Sequence, residues 1–137
     1  MPSISLRGAL AAPLFAALLS GASFAQELTI THPQGETTLP GVPEVVLTQD
    51  WAIFDNLNAL GVVPAGLPSS NAPSYLADLI PADAEQIGSL FEPDYEGIAA
   101  IGADLYLVAA RSSSAYPTAS EILPTIDLSV ANSAIVA

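Results

Sequence analysis

Arg111 is the only arginine or lysine beyond residue 25 of this 137-residue chain, and it stands among 14 acidic residues. Arg7 is the other cation, no lysine occurs, and the formal net charge is −12. A single guanidinium in so acidic a chain has two natural uses. It pairs with a neighbouring carboxylate, or it is held at a site to offset the charge of an anionic ligand while donating hydrogen bonds to its oxygens. The rest of the reactive inventory is thin. With no cysteine and one histidine, His32, the chain cannot form disulfides, thiolate zinc sites or cysteine nucleophiles. A lone imidazole without chelating neighbours makes a poor metal site, so His32 reads as structural or exposed. Any nucleophile–histidine pair would have to use it, and there is no G-x-S-x-G, H-E-x-x-H, G-x-G-x-x-G or P-loop motif. The acidic pairs Asp50/Asp55 and Glu92/Asp94/Glu96 are explained more simply as helix caps and solvated faces than as general acid–base groups. The inventory points to a binding protein rather than an enzyme. Its charge disfavours nucleic acid and anionic membrane surfaces, which both need clustered basic residues.

The elements that must position Arg111 follow from pattern. Residues 1–25 read as a secretory signal: Arg7 in the n-region, an apolar run over 9–19, and Ala22-Ser-Phe-Ala25 before the cleavage point. The run is short for a membrane span of about 20 residues, and no cysteine is present for lipid attachment. Residues 26–137 are then one exported, soluble domain. Alternation over 27–32, a turn at 33–36 and residues 37–39 predict a hairpin. A β-branched run at 45–48 predicts a buried parallel strand. Asp50 caps a helix with Trp51, Phe54, Leu57 and Leu60 on one face and Gly61 as terminator. A second strand is expected from Val62-Val63 to about residue 68, a polar loop over 68–74, and a helical turn at 75–79. Ile87-Gly88 is a weak strand candidate, and Pro93 stands at N1 of a helix over 94–101. Leu105 to Ala109 is the clearest buried strand. A loop over 111–114, a helix near 118–123 and a strand at 125–128 complete the reading. This βαβ order predicts an α/β domain with a mainly parallel sheet. Ligands of such sheets lie at the carboxyl ends of the strands, which places residues 48–51, 67–71 and 110–114 at the candidate site.

Trp51 on the first of these loops is either a ring stacking on a ligand or part of the helix's apolar stripe. Asn71 with Ser69-Ser70, and Ser112 to Ser114 with Tyr116, could line the same edge. Glu96 falls about 200° from Ile98 on its helix and faces solvent, where an acid also suits the helix dipole.

Several stretches carry a resemblance: residues 30–62, including Gly35-Glu-Thr-Thr-Leu-Pro40 and Leu57-Asn-Ala-Leu-Gly61; residues 88–113, including Pro93-Asp-Tyr-Glu96 and Ile98-Ala-Ala; and residues 121–128. Together they resemble the N-terminal lobe of periplasmic substrate-binding proteins of ABC importers for iron–siderophore complexes and cobalamin, closest to the catecholate-siderophore branch. Where the family carries Lys-Pro before its strand aspartate, this chain has Gly102-Ala103. The resemblance implies a Rossmann-like lobe, half of a two-lobed clamshell, with the second lobe and linking helix absent from these 137 residues. It implies a periplasmic protein that captures a ferric siderophore as ligand, with no cofactor, and delivers it to the permease. Cobalamin, haem or another ligand of the same fold, or a fragment that binds nothing, are the alternatives. It further implies that Arg111 contacts the chelate, that the loop carrying Ser69-Ser70 and Asn71 faces it, and that Glu96 pairs with the permease; Trp51 and Ser112 are candidates for the same site from their positions alone.

Overall fold

The computed structural model describes residues 26–131; the proposed secretory signal lies outside them. A two-stranded antiparallel hairpin, β1 (Leu28–His32) and β2 (Gly35–Leu39), precedes a five-stranded sheet. The sheet strands are β3 (Val46–Thr48), β4 (Gly66–Leu67), β5 (Glu85–Gln86), β6 (Leu105–Val108) and β7 (Thr125–Asp127), ordered β5-β4-β3-β6-β7 with every pairing parallel. The helices are α1 (Trp51–Ala59), α2 (Tyr95–Ile101) and α3 (Tyr116–Ala119). Two 3-10 segments, Ser74–Leu79 and Ala110–Ala115, complete the elements of the described residues.

Successive side chains of a strand point to opposite faces, and the two faces bury different partners. Leu47, Tyr106 and Val108 pack with Ile98 of α2 and with Ala115 and Ala119. Val46, Leu105, Leu107 and Ile126 pack with Ile53 of α1 and Leu39 of the hairpin. A third cluster joins Trp51 and Phe54 of α1 to Leu67, Leu76 and Leu90. Helices thus cover both faces, as an all-parallel sheet requires. The chain leaves β3 toward β4 on one side and leaves β6 toward β7 on the other. The strand order therefore reverses between the adjacent strands β3 and β6, and a crevice opens outside their carboxyl ends.

α1 begins where Asp50 turns its carboxylate back onto the helix. Oδ1 accepts from the N–H groups of Ala52 at 2.8 Å and Ile53 at 3.3 Å. These are two of the N–H groups that a helix start otherwise leaves unpaired. Asp50→Ala is expected to lower unfolding free energy by about 1 kcal/mol, read from urea denaturation; an unchanged midpoint would remove the cap from the account.

Several expectations are corrected. Val62-Val63 does not begin a strand. The Val62 N–H closes the end of α1 on Leu57 O at 2.8 Å, Val63 is 71% exposed, and only Gly66-Leu67 joins the sheet. Asp94, not Pro93, precedes the first residue of α2: its side chain accepts from Gly97 N at 3.0 Å, so Pro93 lies outside the helix and bridges to Gly88. The strand near 87–88 falls instead at Glu85–Gln86, where a polar pair lies on the sheet's edge. Residues 111–114 are not an open loop but part of the Ala110–Ala115 3-10 segment. The helix expected near 118–123 ends by Ala119, having begun at Tyr116 with Pro117 in its first turn.

Candidate functional site

All three segments expected at the ligand edge do follow carboxyl ends of parallel strands: 49–51 follow β3, 68–71 follow β4 and 109–114 follow β6. Two cavities lie there. One, about 460 Å³, is lined by Asp50, which caps α1, by Ile53 and Asn56 of α1, by Ala110 and Arg111 after β6, and by Ser129 after β7. The other, about 510 Å³, is lined by Trp51, by Ser69, Ser70 and Asn71 after β4, and by Ile80 and Glu85. Asp50 and Trp51 are consecutive, so the N-terminus of α1 separates the two. Arg111 therefore lines one cavity while Trp51 and Asn71 share the other.

Arg111 is exposed at the switch point of the sheet. No carboxylate pairs with it among the described residues. Its place comes from the backbone: Ala110 stands at φ 43, which turns the chain sharply out of β6 into the 3-10 segment. Ser112 is fully buried, and its hydroxyl bonds the N–H and C=O of Ala109, both at 3.0 Å. It shapes this turn from inside and does not line either cavity.

Trp51 is 4% exposed, with its ring edge-on to Phe54 at 5.9 Å. Its indole N–H donates to Ser70 O at 2.9 Å. The ring thus belongs to the core and ties the 68–71 loop to α1 while forming one wall of the cavity. Asn71, at φ 60, is exposed on that loop, a conformation asparagine tolerates better than most residues. Glu96 is exposed in the first turn of α2, outside both cavities.

His32 belongs to the hairpin. Thr37 Oγ1 spends its proton on Thr125 O at 2.6 Å, so it accepts from His32 Nε2 at 2.9 Å, while His32 Nδ1 accepts from Gln34 N at 3.3 Å. The ring packs edge-on to Tyr116 at 5.1 Å. Its role is to dock the hairpin on β7 and α3.

The residues that sequence reasoning overlooked are buried and polar. Gln49, fully buried after β3, accepts from the Tyr106 hydroxyl at 2.7 Å and donates to Ser89 O. Asp127, at the end of β7, accepts from Ser129 and Gln34. The Asp127-Leu-Ser129 spacing is that of an Asx-turn, in which a carboxylate accepts from the N–H two residues on. That spacing is the one local signal for Asp127 in the sequence.

No protein-family model matches the chain. It is 35% identical over 109 residues to the petrobactin-binding protein YclQ of Bacillus subtilis, covering 77% of this chain and 34% of that one. It is 30% identical over 125 residues to the Fe(3+) dicitrate-binding periplasmic protein FecB of Escherichia coli, covering 87% of this chain and 41% of that one. The solved structure of YclQ superposes with a TM-score of 0.71, over 77% of this chain and 38% of that chain. The siderophore-binding protein BauB, solved with two acinetobactin molecules and ferric iron, also gives 0.71, at 28% identity and the same coverage. The chain spans about a third to two-fifths of the length of these curated relatives. Sequence and fold together make it homologous, over the length of one lobe, to the siderophore- and ferric-citrate-binding proteins.

Proposed function

We propose that the chain supplies the ligand-capturing lobe of a periplasmic protein that binds a ferric siderophore and presents it to the permease of an ABC importer. The observation that carries this reading is the exposed guanidinium of Arg111, paired with no carboxylate among the described residues, at the switch point of a sheet homologous to siderophore-binding proteins. A ferric ion held by three catecholates carries a net charge of about −3, and hydrogen bonds to charged groups are the strong ones. The acidic surface elsewhere repels such a ligand, so capture concentrates at Arg111, the one arginine or lysine among the described residues. The Asp50 carboxylate in the same cavity does not undo this, because it faces the helix N–H groups it caps. Trp51 supplies an apolar wall, Asn71 and the neighbouring serines supply hydrogen-bonding groups for a second part of the ligand, and Ser112 holds the Arg111 turn in shape. Glu96, exposed on α2 and away from both cavities, is the group offered to the permease.

Trp51 is the sole tryptophan and forms a cavity wall, so its fluorescence reports on occupancy. Ferric petrobactin and ferric citrate are expected to quench it saturably. Arg111→Ala should weaken ferric chelate binding about 10- to 100-fold, the loss of a hydrogen bond to a charged group worth about 1.5–3 kcal/mol. Added salt should narrow the difference. Glu96→Ala should leave the titration unchanged. Equal affinity of the Arg111→Ala variant and the parent would refute the assignment.

A further inference from the structure

The turn that carries Arg111 is gripped from both ends by a single buried carboxylate. Asp127 is 2% exposed at the carboxyl end of β7. Its Oδ1 accepts from the Ser129 N–H at 2.8 Å and from the Ser129 hydroxyl, and its Oδ2 accepts from Gln34 Nε2 at 3.1 Å. Both partners reach onward to the 3-10 segment. Ser129 Oγ, its proton spent on Asp127, accepts from Ala110 N at 2.7 Å. Gln34 uses the other proton of the same amide nitrogen on Ser113 O at 3.2 Å. One arm holds the residue before Arg111, and the other holds the carbonyl two residues after it.

Two features show that this hold is needed. Ala110 sits at φ 43, a region that crowds any residue bearing a β-carbon, so the turn would relax if released. The carboxylate is also buried without a cation beside it among the described residues, a costly placement unless hydrogen bonds compensate it. Three donors aimed at its two oxygens supply that compensation, and charge-assisted bonds of this kind are short and directional.

We propose that Asp127 is a positioning residue for Arg111, acting through Ser129 and Gln34 to hold the guanidinium over its cavity. The proposal rests on the reading of Arg111 as the ligand-binding cation. It also makes a claim that holds without any ligand: the order of the Arg111 side chain depends on Asp127.

The test uses Asp127→Asn, which keeps the shape but turns an amide donor toward Ser129 or Gln34, and Ser129→Ala, which removes the Ala110 arm and one of the three donors to Asp127 while leaving the Gln34 arm in place. Each is made alone and with Arg111→Ala. Ferric petrobactin is titrated by Trp51 quenching, and 15N relaxation is measured at the backbone and Nε of Arg111. Both single variants are expected to weaken ferric petrobactin about five- to tenfold with Arg111 present and to change nothing in the Arg111→Ala background, the non-additivity expected of coupled residues. The Arg111 order parameters should fall while those of β3 and β6 stay constant. Equal losses in both backgrounds would overturn the proposal, as would unaltered Arg111 order. Should Arg111→Ala bind like the parent, the ligand reading fails, and the relaxation data still decide whether Asp127 holds the turn. If Asp127→Asn does not fold, Ser129→Ala carries the test alone.

Discussion

Gly88→Ala should lower the unfolding free energy by about 3 kcal/mol, the sum of a strained left-handed residue and an overpacked site. Gly88 sits at φ +90, and a β-carbon there would lie 2.4 Å from Glu92 O, 2.5 Å from Asp94 N and 2.9 Å from Pro93 C. All three are backbone atoms of the connection between β5 and α2, so no side chain can swing away. The turn is also wired to its surroundings. Asp94 N donates to Ile87 O at 2.9 Å, Ser89 N to Glu92 O at 3.0 Å, and Ser69 N to Gly88 O at 2.8 Å. The last bond fixes the loop that carries Asn71, so damage at Gly88 spreads to the ligand edge. Gly66→Ala is the matched comparison. There the new β-carbon would meet Ile87 Cγ2 and Leu47 Cδ2, each at 2.8 Å, which are methyl groups at the ends of side chains. Such groups shift more readily than backbone, and the expected cost is about 1–2 kcal/mol. Urea denaturation with unchanged m values measures both. A loss under 1 kcal/mol at Gly88, or a larger loss at Gly66, would show that the 88–94 turn yields where the geometry says it cannot.

How much of this was legible in the chain depended on whether the signal was local. The hairpin, β3 and β6 announced themselves through alternation or β-branched runs, and α1 through its Asp50 cap and the Gly61 stop. The parallel order followed from the alternation of elements, and with it the prediction that residues 48–51, 67–71 and 110–114 share one edge of the sheet. The family resemblance then named the kind of lobe. What escaped notice is set by partners distant in sequence. Glu85-Gln86 is a strand only because Gly66-Leu67 lies beside it; two polar residues have no period to read. Val62-Val63 has high strand propensity, yet the Val62 N–H is taken by the end of α1. The serines after Arg111 suggest an open loop, but Ser112 folds its hydroxyl inward and closes a 3-10 turn. The division of the edge into two cavities was equally hidden, since it arises from where the start of α1 falls between β3 and its neighbours. Arg111 was identifiable by charge alone. The groups that hold it are Gln34, Asp127 and Ser129; Gln34 and Asp127 alone lie 93 residues apart in sequence, and no local pattern connects them.

Gln49 and Tyr106 show the same distance effect in the core, and their removal should be nearly as damaging as that of Gly88. Gln49 is fully buried on β3's exit and Tyr106 is fully buried on β6. The phenol donates to Gln49 Oε1 at 2.7 Å, and Gln49 Nε2 donates to Ser89 O. Gln49→Leu keeps most of the volume but strands the phenol hydroxyl and the Ser89 carbonyl. With about 1–3 kcal/mol for each orphaned buried group, a loss near 3 kcal/mol is expected. Tyr106→Phe alone strands only Gln49 Oε1, at about 1–2 kcal/mol. In the double variant the orphaned hydroxyl and its acceptor both disappear, so the combined loss should fall clearly below the sum. Alkaline titration provides an independent check. Burial, and secondarily the charge of Tyr95, push the Tyr106 phenol well above its ordinary value of about 10. The folded state thus holds this proton more tightly than the unfolded chain. Its contribution is present in full below about pH 10 and is lost as pH rises toward the folded value, because the unfolded phenol ionises first. Stability of the parent chain should therefore fall more steeply above pH 10 than that of Tyr106→Phe, which has no proton there to lose. Strictly additive losses in the double variant, together with identical alkaline slopes, would mean that the phenol and the amide do not depend on each other. The tie between β3, β6 and the turn at Ser89 would then have to come from apolar packing alone.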